Sequence, residues 1–328
     1  MESTSENIRF AGRVIAQGGL VAFPTETVFG LGADALNEEA VRNVYKAKGR
    51  PSDNPMIVHV AEAQQLQQLT DQDMTLLEPL AKAFWPGPLT IVVQKKSLVP
   101  DVTTGGLGTV AVRNPDNDIA RELIMAAGTP IAAPSANLSG RPSPTKTQHV
   151  IADLKGKIDV ILQGEDCRVG IESTVLDMSE GHPVILRPGI ITKEQLENVL
   201  LRPVEIDPAL THDPKDRGDF RPKAPGMKYK HYAPKADMVL FQGEDDAVIR
   251  RIHRVKEAEE AKGQKVGIIF FREGEYAKAA HDWFAQLRSL DQDGVDVILA
   301  KALSQKDQVG FAVMNRMLKS AGYHVEKV

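Results

Sequence analysis

The chain has 328 residues, with 40 Lys and Arg against 44 Asp and Glu for a formal net charge of −4, and a single cysteine. That balance argues against a general nucleic-acid or membrane-surface binder, and the lone Cys167 excludes an internal disulfide framework or a cysteine-rich metal site, which suits a reducing cytoplasm. The length exceeds one ordinary core and fits two domains, no apolar run approaches membrane-spanning length, and the opening residues lack signal-peptide features, so a soluble cytoplasmic protein is expected.

Along the chain, Ile8, Ala11, Val14 and Ile15 at helical spacing predict a helix over 4–17, stopped by Gly18-Gly19 before a strand at 20–23. Pro24 then ends strand pairing, and Gly30 and Gly32 permit close backbone approaches in the loop that follows. A helix over 38–47, a strand at 56–60, and helices near 62–69 and 74–84 come next. Strands at 89–93 and 109–112 flank a Gly-rich loop, and the second ends at Arg113. A helix over 117–127 leads to a strand at 130–133 and a long loop over 134–145 in which Pro and Gly leave little room for regular structure. A helix at 146–154, strands at 158–162, 173–178 and 183–187, and a helix at 192–200 complete a first domain. Strands separated by helices imply an α/β sheet, while the pair turning at Glu180-Gly181 reads as an antiparallel hairpin, so the sheet is expected to be mixed.

Residues 201–235 are Pro-rich with almost no apolar periodicity and read as an extended linker; its second half packs lysines, a histidine and tyrosines that either stick two domains together or form a lid over a ligand. From 236 to 328, strands at 237–241, 266–271 and 295–299 alternate with helices near 245–262, 277–289 and 309–321, the pattern of a small parallel α/β, Rossmann-like domain. No site can be read in that domain.

Several familiar signals fail. Gly140-Arg-Pro-Ser-Pro-Thr-Lys-Thr has the wrong glycine spacing for a P-loop, and Gly106-Leu-Gly-Thr-Val-Ala opens a strand where a dinucleotide fingerprint needs a helix. Neither the zinc-hydrolase nor the α/β-hydrolase motif is present. His59, in an apolar strand, reads first as a hydrogen-bonded core or rim histidine. What accumulates at strand ends is a set of cations, hydroxyls and amides: Thr27, Lys48, Arg50, Ser52, Asn54, Thr109, Arg113, Ser135, Asn137, Ser143, Ser173 and Arg187. Guanidinium forks with hydroxyl and backbone donors can position a polyanion such as a triphosphate without a P-loop.

Eight segments in one order carry a more specific message: Phe23-Pro-Thr-Glu-Thr-Val-Phe-Gly-Leu-Gly, Lys48-Gly-Arg-Pro-Ser-Asp-Asn-Pro, Phe84-Trp-Pro-Gly-Pro-Leu-Thr, Val112-Arg113, Ala133-Pro-Ser-Ala-Asn-Leu-Ser-Gly, Glu172-Ser-Thr-Val-Leu-Asp, Leu186-Arg-Pro-Gly and Pro225-Gly-Met-Lys-Tyr-Lys-His-Tyr-Ala-Pro. Over nearly its whole length the chain resembles the YrdC-like threonylcarbamoyl-AMP synthases in their longer, two-domain form. The resemblance implies a YrdC-like domain over 1–200 with a twisted mixed sheet around a concave positive cavity, a linker or lid over 201–235, and the C-terminal domain over 236–328. It implies conversion of ATP, L-threonine and bicarbonate to threonylcarbamoyl-AMP and pyrophosphate. The product would pass to separate threonylcarbamoyl transferase proteins that modify the anticodon-adjacent adenosine of tRNA.

Carried over by position, the threonine site would use Thr27, His59, Arg113, Ser173 and the backbone at Ala133, with Arg113 clamping the carboxylate. The nucleotide site would use Lys48, Arg50, Asn54, Thr109, Ser135, Ser143 and Arg187, with Tyr232 reaching in from the linker. Lys48, Arg50 and Arg187, with Mg²⁺ carried by ATP and no protein-bound metal, would stabilise the leaving pyrophosphate. Phe23, Phe29 and Ala224 stand where many relatives carry hydroxyl residues, which puts one or two hydrogen bonds in question. Two other readings are a carbamoyl-transfer domain like that of HypF hydrogenase-maturation proteins, which the single cysteine disfavours, and a non-catalytic RNA-binding module, which the acidic balance disfavours.

Overall fold

The computed structural model describes residues 1–210 and 231–328, and these form two sheets. The first contains β1 (Val21–Phe23), β2 (Gly30–Asp34), β3 (Ile57–His59), β4 (Leu89–Gln94), β5 (Thr109–Arg113), β6 (Ile131–Ala132), β7 (Val160–Ile161), β8 (Thr174–Asp177), β9 (Val184–Arg187) and β10 (Glu205–Ile206). Their order across the sheet is β10-β9-β8-β4-β5-β3-β6-β2-β1-β7. It is mixed: β3 and β5 run parallel, β4 and β5 antiparallel, and β8 and β9 form the expected antiparallel hairpin.

Strand alternation sorts the side chains. Leu89, Ile91 and Val93 of β4, with Val110 and Val112 of β5, enter the largest apolar core under the helices Glu38–Lys48 and Glu78–Phe84. Val92, Ala111 and Ile57 go to the other face, where they form a smaller cluster with Val175 and Leu186. Arg113 and His59 lie two residues beyond Ala111 and Ile57, so they share that second face, and the β3–β5 register sets them side by side. At the far end of the sheet, the helices Ser5–Ala16 and Asp118–Ala127 pack over β1, β6 and β7 through Ile8, Ile15, Leu123 and Ile124.

β9 carries the one irregularity that matters for the site. Val175 pairs with Arg187 and Leu176 with Ile185, so Leu186 is an extra residue in the ladder. Without that bulge, Arg187 would follow Ile185 into the helix-covered core; with it, Arg187 faces the same way as Val175.

The second sheet is wholly parallel, in the order β12 (Val266–Ile269), β13 (Val297–Lys301), β11 (Asp237–Gln242), β14 (Val325–Lys327). The helix Asp245–Glu260 covers one face through Val248 and Ile252, and the helices Tyr276–Asp293 and Gln308–Ser320 cover the other through Trp283, Phe284, Leu287, Val313 and Met317. This second core also takes in Val28 and Ile171 of the first domain, so the two domains share apolar packing.

Three strands escape the sequence pattern. β2, Gly-Leu-Gly-Ala-Asp, has too little β-branched character to signal a strand, yet it pairs with both β1 and β6. A Cβ on Gly32 would lie 2.6 Å from Ile131 Cγ2 and 2.8 Å from Phe23 Cε1, so glycine is what allows those neighbours to close over it. β14 is a short C-terminal edge strand. β10 corrects the reading of 201–235 as an extended spacer throughout: Glu205 and Ile206 join the first sheet beside β9, and a short helical turn follows at Pro208–Leu210. Of the proposed lid over 225–234, residues 225–230 lie outside the described residues. Among the described residues, no helix is long and apolar enough to cross a membrane.

Candidate active site

A concave cavity of about 70 Å³ opens on the second face of the first sheet. Its walls include Arg50, His59, Arg113, Ala133, Ser135, Arg187 and Tyr232, drawn from six separate stretches of chain, together with Thr25, Glu172 and His231. Three guanidinium groups against one carboxylate make this lining cationic.

Local structure aims each of these groups. The helix Glu38–Lys48 is capped by Asn37 and closed by the left-handed Gly49, which turns the chain so that Lys48 stays buried while Arg50 reaches the cavity. Arg50 Nη2 donates to the carbonyls of Asn54 at 3.1 Å and Pro55 at 2.9 Å, which ties the guanidinium to its own loop. Arg187 Nε donates to the Ser173 carbonyl at 3.0 Å and Nη2 to the Ser173 hydroxyl at 3.1 Å; that hydroxyl lies 2.7 Å from Thr90 Oγ1. Burial lowers the Arg187 pKa to about 10, a value that still leaves a cation at neutral pH. Arg113 Nε donates to the Gly87 carbonyl at 3.4 Å, and its Nη2 lies 2.6 Å from Glu26.

His59 lines the cavity, but it is a poor base. Its burial, reinforced by Arg113, pushes the imidazole down to about 3, and its hydrogen-bonding partners are the backbone carbonyls of Ile57 and Ile131. Phe23 packs edge-on against the ring at 6.1 Å. The neutral ring is a shaped wall with a fixed hydrogen-bonding direction.

Other expected site residues sit one layer back. Lys48 donates its ammonium to the carbonyls of Ser135 and Asn137, pinning the loop that presents Ser135. Burial, with Arg50 as a second cause, lowers its pKa well below the usual lysine range. Thr27 is fully buried with its hydroxyl 3.0 Å from that of Thr25, which reaches the wall in its place. Ser143 donates to Glu172 Oε1 at 2.6 Å. Asn54 is buried, neither atom of its amide has a hydrogen-bond partner among the described residues, and it does not line the cavity. Thr109 is the outlier: it opens β5 opposite Gln94, four residues and roughly 13 Å along the strand from Arg113, and does not line the cavity.

Glu172 is the charged cavity-lining residue that site-by-site reading of the sequence passes over, although it stands in the motif before Ser173. Burial favours its neutral form, but Arg316 and Arg187 together with the Ser143 hydroxyl outweigh that and hold the carboxyl below the usual range. Tyr232, stacked on Phe284 at 5.0 Å, is pushed up to about 12 by burial first and by this carboxylate second.

Comparison with known proteins agrees with this geometry. The family model described as "Telomere recombination", for the Sua5, YciO and YrdC group, matches residues 13–189, and the model for the threonylcarbamoyl-AMP synthase C-terminal domain matches 191–322. The chain is 47% identical to threonylcarbamoyl-AMP synthase of Pyrococcus abyssi, with 98% of this chain and 96% of the relative covered, and 43% identical to that of Bacillus subtilis, with 99% and 96% covered. The crystal structure of P. abyssi Sua5 complexed with L-threonine superposes with a TM-score of 0.92 at 47% identity, covering 99% of this chain and 97% of that one. With both domains matched in one order and the cationic cavity formed where the shared motifs meet, the chain belongs to the two-domain threonylcarbamoyl-AMP synthase family.

Proposed function

We propose that the protein synthesises L-threonylcarbamoyl-AMP from ATP, L-threonine and bicarbonate, releasing pyrophosphate, for the threonylcarbamoyladenosine modification of tRNA next to the anticodon. One observation carries the reading: Arg50, Arg113, Ser135 and Arg187, far apart in sequence, converge on a single cavity in a fold that matches a threonine-bound relative.

In this scheme the threonine amine adds to CO2 derived from bicarbonate and loses a proton, giving a carbamate. A carbamate oxygen then attacks the α-phosphorus of ATP, and the bond to the β-phosphate oxygen breaks to release pyrophosphate. Arg113 would seat the amino-acid carboxylate beside the neutral His59. Arg50, Arg187 and Ser135 would hold the nucleotide side, where Mg²⁺ enters as part of the ATP substrate. Alignment in a site shielded from water is the main contribution, since carbamates are short-lived in water. His59 takes no proton in this scheme, because burial and the neighbouring Arg113 disfavour its charged form.

The test is pyrophosphate release from protein supplied with ATP and bicarbonate and with each amino acid in turn. Release that depends on threonine is expected, with threonylcarbamoyl-AMP identified by mass; no release, or release indifferent to the amino acid, would overturn the reading.

A further inference from the structure

The C-terminal domain sends one guanidinium into the back of the first domain's site. Arg316, on the helix Gln308–Ser320, is fully buried. Its Nε lies 3.1 Å from Glu172 Oε2, its Nη2 donates to the Glu172 carbonyl at 3.2 Å, and its Nη1 donates to the carbonyls of Pro188 and Ala312. Two of the residues it grips adjoin site residues: Glu172 precedes Ser173, and Pro188 follows Arg187. The second oxygen of Glu172 takes the Ser143 hydroxyl at 2.6 Å.

We propose that Arg316 is a positioning residue for the nucleotide half of the site, acting through Glu172 to present Ser143 and to keep Arg187 available to phosphate. Glu172 is the one carboxylate among the described residues that line the cavity. An unpaired anion there would repel a triphosphate and would draw Arg187 toward itself. Arg316 supplies the opposing charge from outside the cavity, and its fork holds the carboxylate and two backbone carbonyls at once, a geometry that a lysine ammonium does not reproduce. The electrostatics agree, since Arg316 is the largest influence opposing the neutralisation that burial would otherwise impose on Glu172. Among the described residues Arg316 makes no hydrogen bond or ion pair to Arg113 or His59, and the hydroxyl of Ser173, the one threonine-side residue beside Glu172, is held by Arg187 and Thr90 instead. The C-terminal domain thereby completes the site of the neighbouring domain.

This inference rests on the proposed ATP-dependent reaction, and the test separates the two. Full-length wild type, Arg316→Met, Arg316→Lys, Glu172→Gln and the double variant Glu172→Gln/Arg316→Met are compared by pyrophosphate release with ATP and with threonine varied, alongside thermal unfolding. Arg316→Met should raise the KM for ATP roughly tenfold or more and leave the KM for threonine within about twofold, because it uncovers a buried charge on one side of the site only. Arg316→Lys should fall between the two, and it carries the test if the methionine variant does not fold. The double variant should recover most of the ATP affinity while remaining less heat-stable than wild type. Equal rises in both KM values, or a double variant no better than Arg316→Met, would reduce Arg316 to structural packing and overturn the proposal. If wild type releases no pyrophosphate, the functional reading fails; equilibrium dialysis of ATP against the same variants then decides the inference by the same ranking.

Discussion

Arg113 Nη2 stands 2.6 Å from a carboxylate oxygen of Glu26, with both side chains buried, and among the described residues neither Glu26 oxygen has a well-aligned donor. The pair balances charge through one guanidinium nitrogen, and a guanidinium carries further N–H donors that an incoming carboxylate can take. Arg113→Ala should raise the KM for threonine by at least about tenfold, since hydrogen bonds to charged groups are worth roughly 1.5–3 kcal/mol. Initial rates at varied threonine, with ATP saturating, give the answer; an unchanged KM would remove Arg113 as the carboxylate clamp.

Glu26→Gln isolates the other member of the pair. It leaves Arg113 buried without its counter-charge, and breaking a buried pair from one side costs roughly 3–5 kcal/mol. Threonine then supplies the missing anion, so saturating threonine should raise the melting temperature more in Glu26→Gln than in wild type. Thermal unfolding with and without threonine measures this difference, and an equal or smaller shift in the variant would contradict it.

Asn54 should behave in the opposite sense. Its buried amide has no partner among the described residues, so Asn54→Ala removes an unsatisfied group and should leave the melting temperature unchanged or slightly higher. The same change should weaken ATP binding. A marked loss of stability with ATP affinity intact would show that the amide serves the fold and not the nucleotide.

Two buried histidines set an acid limit on stability. Burial, then Arg113, pushes His59 down to about 3; burial, then Arg288, pushes His149 down to about 4. Both values lie below the usual imidazole range, so below about pH 6.5 the unfolded chain gains protons that the folded chain refuses. Stability is therefore fully present above that pH and is lost as pH falls toward 4, with a limiting slope of about 1.4 kcal/mol per pH unit for each histidine. His149 Nδ1 accepts the Thr145 N–H at 3.2 Å, a contact that an asparagine oxygen can imitate. Urea unfolding between about pH 5 and 7.5 should show a shallower slope for His149→Asn than for wild type. Parallel slopes would mean that His149 titrates normally.

Gly170 marks a close approach between the two domains. Its φ is +83°, and a Cβ there would lie 2.3 Å from the His281 carbonyl oxygen and 2.5 Å from that of Ala280, both in the helix Tyr276–Asp293. Gly170→Ala must separate the domains as well as strain the backbone. A loss of roughly 1–3 kcal/mol is expected by denaturant unfolding, together with a higher KM for ATP as Arg316 withdraws from Glu172. Unchanged values for both would show that the interface is compliant at this point.

Much of the architecture was legible in the residues. The helix at 118–127 begins after the N-cap Asn117 and stops at the left-handed Gly128, as local rules require. Strand alternation placed His59 and Arg113 on strands before any tertiary contact was known, and the cations at strand ends were already grouped by chemistry. β2 was not legible, because its glycines and alanine lack a strand signature and its place depends on Phe23 and Ile131 packing over Gly32. Thr109 shows the opposite case: it was grouped with the cations and hydroxyls at strand ends, but it opens β5 at the end away from Arg113 and does not line the cavity.

Sequence alone determined the family, the mixed and parallel sheets, and the identity of most of the cavity's cations, because those follow from local periodicity and from short motifs whose spacing survives in the linear chain. Only the tertiary structure decided which of those groups face the ligand space. The bulge at Leu186 aims Arg187, the pinning of Ser135 by Lys48 is a contact across 87 residues, and Arg316 reaches Glu172 across 144. Such pairings are set by how sheet faces and domain surfaces come together, and no local preference in a one-dimensional pattern records that.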